Sequence, residues 1–135
     1  MADTMNFDLV SPERSLASFA ATEVQIPGSE GDMTAMFNHA PILTTLRPGV
    51  LSVNSSHGVS EYVVTGGFAE VTPEGVTVIA ERAMVKSDVT QEDMDGIVLD
   101  AKAALDGANE ATQDAATKIH ADVVALAAAL GLNAA

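Results

Sequence analysis

Near Ser87 the hydrophobic period of the chain changes, and this break limits what the sequence can fold into. Before it, apolar residues recur at every second position in short runs cut by Gly, Pro and Asn. After it they recur at three and four. A period of two lines one face of a strand, and a period of three to four lines one face of a helix. The chain therefore divides into a β-rich domain over residues 1–86 and a helical segment over 87–135, with the boundary at 85–88.

Phe7 and Leu9 alternate with Asn6 and Asp8 before Ser11-Pro12-Glu13-Arg14 breaks the run. Short strands follow around 16–19 and 21–26, with Val24 and Ile26 on one face. Asn54-Ser55-Ser56-His57-Gly58 joins two apolar runs as a hairpin, and Gly66-Gly67 suggests a bulge or a close backbone approach. Phe68 to Val71 and Val76 to Ala80 flank a turn at Thr72-Pro73-Glu74-Gly75. About eight to ten short, turn-bounded strands point to a sandwich or flattened barrel.

Past the boundary, Thr90 and Asp93 have the spacing of a capping box. Met94, Ile97, Val98, Ala101 and Leu105 predict a helix over 91–106, with Gly96 costing about 1 kcal/mol relative to Ala. Gly107-Ala108-Asn109 ends it, and Ala116, Ile119, Val123, Leu126 and Leu130 predict a second over 110–130. Two such helices with so short a connection form an antiparallel hairpin. Its narrow, alanine-rich apolar stripe makes it the least stable part of the chain.

Residues 28–48 fit neither pattern. Gly28 and Gly31 flank Ser29 and Glu30 and predict a tight reversal with positive φ at one glycine. Asn38-His39-Ala40-Pro41 predicts a second turn, because the residue before proline is kept out of the helical region. The stretch reads as one loop with Glu30 and Asp32 at its tip and a buried Ile42-Leu43 pair. Met33, Met36 and Phe37 either cover the core or form an adaptable docking surface.

Charge and composition remove whole classes of function. Six Lys and Arg face nineteen Asp and Glu, for a net charge of −13. That field repels nucleic-acid phosphates and anionic lipid. There is no cysteine, so no disulfide, thiolate nucleophile or cysteine zinc site is expected. Asp3 and Asp8 stand where a signal peptide needs positive charge and hydrophobicity. Neither a Gly-x-x-x-x-Gly-Lys-Ser/Thr nor a Gly-x-Gly-x-x-Gly motif occurs, and His39, His57 and His120 share no spacing that suits a metal. His39 could be paired with Ser29 or Asp32 as a catalytic set, but a ring bonded to backbone or set at an interface explains it better. No catalytic residue, cofactor or metal is expected. Arg47 and Arg82 are scarce cations suited to internal ion pairs. The residues describe a non-enzymatic β domain with a helical appendix that contacts other proteins, with an independent ligand-binding or regulatory β-sandwich as the alternative.

Several segments carry a family resemblance. They are Phe7-Asp8-Leu9-Val10-Ser11-Pro12-Glu13, Pro27-Gly28-Ser29-Glu30-Gly31-Asp32, His39-Ala40-Pro41-Ile42-Leu43-Thr44, Leu46-Arg47-Pro48-Gly49, Gly66-Gly67-Phe68-Ala69-Glu70-Val71 and Val76-Thr77-Val78-Ile79-Ala80. In this order the chain resembles the epsilon subunit family of bacterial F-type ATP synthases, called delta in mitochondria, and its alphaproteobacterial members in particular. The resemblance implies an N-terminal ten-stranded β-sandwich and a C-terminal two-helix hairpin. It also implies a non-catalytic rotor subunit, peripheral on the cytoplasmic face of the bacterial inner membrane. One side of the sandwich would bind the gamma subunit and an end loop the polar loops of the c-ring, with transient alpha and beta contacts and no lipid insertion. Ser29, Glu30, Asp32, Met33, Met36, Phe37 and His39 are the expected protein-interface residues. Thr34 and Asn38 stand where many members have glycine, which implies a differently shaped loop. Relatives that inhibit ATP hydrolysis carry basic residues on the hairpin, and some bind ATP through an arginine there. Residues 88–135 hold nine acidic residues against Lys102 and Lys118, with no arginine. The expectation is a hairpin that stays folded against the sandwich, inhibits weakly and binds no ATP.

Overall fold

Alternating side chains give each N-terminal strand one apolar face, and two such faces must meet to leave water. The computed structural model describes residues 4–134. It divides into two compact units, one ending at Ser87 and one beginning at Asp88. The first unit contains β1 (Met5–Ser11), β2 (Arg14–Ala21), β3 (Glu23–Gly28), β4 (Gly31–Met36) and β5 (Ile42–Thr45). It continues with β6 (Gly49–Ser55), β7 (Gly58–Thr65), β8 (Phe68–Thr72), β9 (Gly75–Ile79) and β10 (Arg82–Val85).

The strands form two five-stranded sheets, ordered β2-β1-β9-β8-β5 and β10-β7-β6-β3-β4. β1 and β9 run parallel, whereas the hairpin neighbours run antiparallel. Each hairpin stays within one sheet, and the short connection after it changes sheet. Between the sheets lie Phe7, Leu9, Val24, Ile26, Leu51, Val53, Val64, Val71, Val76 and Val78. The Phe7 ring stands 5.4 Å from Phe19 in its own sheet and 6.2 Å from Tyr62 in the other. Burying one such aliphatic or aromatic side chain contributes about 1.5–3 kcal/mol.

Gly66-Gly67 is one of the sheet-changing connections, between β7 and β8, rather than a bulge inside a strand. Their φ values of 63° and 88° are left-handed, and a Cβ on Gly67 would lie 1.9 Å from the Ile79 carbonyl oxygen. The glycines are required because the chain must reverse while touching β9.

The second unit holds α1 (Gln91–Asp106) and α2 (Gln113–Ala129), which pack on each other. The expected capping box is present. The Asp93 amide donates to the Thr90 hydroxyl at 3.2 Å, and the Thr90 amide donates to the Asp93 carboxylate at 3.0 Å. α2 begins three residues later than its periodicity predicts, because Asn109 captures the preceding backbone. Its side-chain oxygen accepts from the amides of Ala111 at 2.9 Å and Thr112 at 3.1 Å, holding a turn. Ile119, expected on the buried stripe, is exposed, whereas Ala116, Val123, Leu126 and Ala127 are buried. Gly131 (φ 71°) turns the chain just past the end of α2, with the Leu132 amide donating back to the Ala127 carbonyl at 2.8 Å. The Gln91 side-chain amide bonds both ways to the Asn133 backbone, at 2.8 and 2.9 Å. This joins the start of α1 to the end of α2 and makes the pair antiparallel.

Gly67→Val should destabilise the sandwich by about 3 kcal/mol, since it adds both a steric clash and a strained φ. Urea unfolding of the full chain measures this.

Candidate protein-contact site

The stretch expected to be a single loop contains two edge strands, one in each sheet. β3 and β4 form a hairpin whose turn is Ser29-Glu30, closed by the Gly28 and Gly31 pair. Gly31 has φ 136°, and a Cβ on Gly28 would lie 2.7 Å from the Gly31 carbonyl oxygen, so both glycines are needed.

The end of β5, in the other sheet, and the connection from β5 to β6 hold this tip. The Ser29 amide donates to the Thr45 carbonyl at 2.8 Å, and the two hydroxyls lie 2.5 Å apart. The Arg47 amide donates to the Pro27 carbonyl at 2.9 Å. Its guanidinium donates to the Gly28 carbonyl at 2.7 Å and to the Asp32 carboxylate, forming a salt bridge. Glu30 is exposed, and the Asp32 side chain is 77% accessible even though it is paired.

Strand alternation then separates the methionines. Along β4, Met33 and Ala35 face the core, while Asp32, Thr34 and Met36 face out. Met33 is partly buried against the core, Met36 is 54% exposed and Phe37 is 46% exposed. The trio is therefore neither all core nor all surface.

The chain turns at Phe37-Asn38, closed by the His39 amide donating to the Met36 carbonyl at 3.2 Å, so the turn starts before the expected Asn38-His39-Ala40-Pro41. Asn38 has φ 63°, the left-handed conformation that asparagine tolerates best after glycine. It thus keeps the backbone shape a glycine would allow there, and Thr34 is an ordinary strand position opposite Gln25. The Asn38 amide donates to the Pro73 carbonyl at 3.0 Å, tying the turn to the hairpin of β8 and β9. His39 Nδ1 lies 2.6 Å from the Ala40 carbonyl oxygen, which can only accept, so Nδ1 carries the proton. The backbone-bonded histidine is thus the arrangement found.

Ile42 and Leu43 are exposed, contrary to the expected buried pair; Leu43 is 65% accessible. They lie on β5, a four-residue edge strand paired on one side only, with β8. The outer face of the same sheet carries Phe68 beside Ile79 in register. Both lie out of phase with buried Ala69, Val71, Val76 and Val78, a signal already present in the sequence.

Apart from the partly buried Met33, the expected contact residues fall into two groups at opposite ends of β4, about 17 Å apart at strand spacing. Ser29, Glu30 and Asp32 make an acidic, braced tip. Met36, Phe37 and His39 make an apolar corner, extended by Ile42 and Leu43. Arg47, which reads only as an ion-pair candidate, proves central to the tip. Among the described residues no three His, Asp or Glu side chains are arranged to hold a metal ion.

Two five-stranded sheets packed face to face, followed by a helix pair, define the class of fold. Residues 4–86 match the family model for the ATP synthase delta/epsilon chain β-sandwich domain. The ATP synthase epsilon chain of Rhodobacter capsulatus is 53% identical over 132 residues, covering 98% of this chain and 100% of that one. That of Sinorhizobium medicae is 43% identical over 127 residues, covering 93% and 95%. Among solved structures, the Euglena gracilis mitochondrial ATP synthase, OSCP/F1/c-ring in rotational state 1, matches with a TM-score of 0.69. That match has 24% identity and covers 94% of this chain and 81% of its counterpart. The central stalk/c-ring of Tetrahymena thermophila mitochondrial ATP synthase matches with a TM-score of 0.65 at 16% identity, covering 92% and 93%. These two structures share the fold. The chain belongs to the ATP synthase delta/epsilon chain family, among the epsilon chains of alphaproteobacteria, which are non-catalytic subunits.

Asn38→Val should cost about 1–2 kcal/mol by forcing a β-branched residue to positive φ, whereas Asn38→Gly should be nearly neutral. Chemical denaturation of both variants distinguishes these outcomes.

Proposed function

We propose that this chain is a rotor subunit of the central stalk of a proton-translocating F-type ATP synthase, coupling c-ring rotation to the gamma subunit during ATP synthesis. The observation that carries this reading is its nearly end-to-end likeness to curated epsilon chains. The c-ring in both structural neighbours' assemblies supports it. The acidic tip at Ser29, Glu30 and Asp32 meets the polar loops of the c-ring. The apolar corner at Met36, Phe37 and His39, with Ile42 and Leu43, meets gamma. Transient contact with alpha and beta subunits belongs to the same reading. The subunit is peripheral on the cytoplasmic face of the inner membrane and does not insert into lipid. Among the described residues no helix is long and apolar enough to cross a membrane.

Torque then passes through packed surfaces. A close-packed core between two sheets has low compressibility, so a load on the tip reaches the corner without being absorbed. The helical unit contributes little inhibition of ATP hydrolysis. Its nine acidic residues oppose two lysines, and Lys118 is already paired with Asp122 at 3.0 Å. Against an acidic partner surface such a hairpin is repelled.

Glu30→Lys should weaken binding to a gamma and c-ring assembly by about tenfold, and Phe37→Asp should weaken binding to gamma alone by a similar factor. Co-sedimentation titrations measure both, and unchanged binding of either variant rejects its contact. Removing residues 88–135 should change ATP hydrolysis by the assembled synthase less than about twofold. A large rise would refute weak inhibition.

A further inference from the structure

The grip on the tip is concentrated in one side chain. We propose that Arg47 is the positioning residue of the tip: its guanidinium ties the two arms of the β3–β4 hairpin to the β5–β6 connection through the Gly28 carbonyl and the Asp32 carboxylate, leaving Glu30 to meet the partner. This rests on the tip being the c-ring contact.

A two-residue turn between an edge strand and its neighbour has few restraints of its own. Here the β3 arm is held through the Gly28 carbonyl and the β4 arm through the Asp32 carboxylate, both by Arg47 from the β5–β6 connection. Arginine suits the position because its planar fork donates in two directions at fixed geometry, which a lysine ammonium on a flexible stem does not reproduce. The backbone bonds from Arg47 to Pro27 and from Ser29 to Thr45 survive substitution, so the sandwich stays folded while the tip loosens. Asp32 is then a partner of Arg47 more than of the c-ring. Glu30, at the turn itself, is the carboxylate left for outside contact.

Hydrogen exchange at the amides of residues 29–32 in the full chain, and affinity for a gamma and c-ring assembly, test the assignment together. Arg47→Gln and Asp32→Asn should each speed tip exchange and weaken assembly by about threefold to fivefold. Their melting temperatures should stay within a few degrees of the parent. The double variant should bind no worse than the weaker single, because both remove the same link. Arg47→Lys should restore binding only partly. Glu30→Gln should weaken binding without speeding exchange, and its effect should multiply with that of Arg47→Gln. If Asp32→Asn weakens binding equally in the Arg47→Gln background, Asp32 contacts the partner directly and the proposal falls. Unchanged tip exchange in Arg47→Gln also overturns it, whatever the affinities. If exchange rises but Glu30→Gln binds like the parent, the contact reading fails while the brace stands.

Discussion

Burial between the two sheets is the interaction on which everything else in the sandwich depends. Phe7, Leu9, Val24, Ile26, Leu51 and Val53 leave water only when both sheets are present, since each sheet supplies one wall. The chain passes repeatedly from wall to wall, so its connections become structural members. Gly66-Gly67 must pass within contact of Ile79, and the β5–β6 connection must clamp the β3–β4 hairpin. Rigidity at the ends of the sandwich is thus a consequence of how the core is closed.

That rigidity suits a subunit that transmits force and performs no chemistry. The tip and the corner lie at opposite ends of one edge strand, so β4 links them directly. The two differ in their electrostatics. The tip presents carboxylates, one of them neutralised locally by Arg47, whereas the corner presents Met36, Phe37 and Leu43 with little charge. Charged rims govern steering and register, and apolar clusters supply most of the adhesion. A net charge of −13 across the chain opposes the approach of anionic lipid and nucleic-acid phosphates.

Much of the fold was legible in the sequence because period and punctuation are local properties. The switch of period near Ser87, the capping box at Thr90 and Asp93, and the turn glycines at Gly31 and Gly58 each act within a few residues. Family resemblance carried the ten-stranded count and the function, which local patterns left open. The site was less legible. The residues from Gly28 to Pro48 looked like a loop because β4 is six residues long and β5 four, too short for alternation to stand out from the turns around them.

Local chemistry determined where strands and helices form and where the chain turns, and its composition set a net charge of −13. Only the tertiary structure decided that β4 and β5 are edge strands of different sheets. That decision exposes Ile42 and Leu43, turns Met33 inward while leaving Met36 outside, and brings Arg47 to Asp32 and Gly28. Whether an apolar residue is buried depends on what lies across from its strand, and whether a carboxylate is paired depends on a cation fifteen residues away. Neither is set until the sheets have packed.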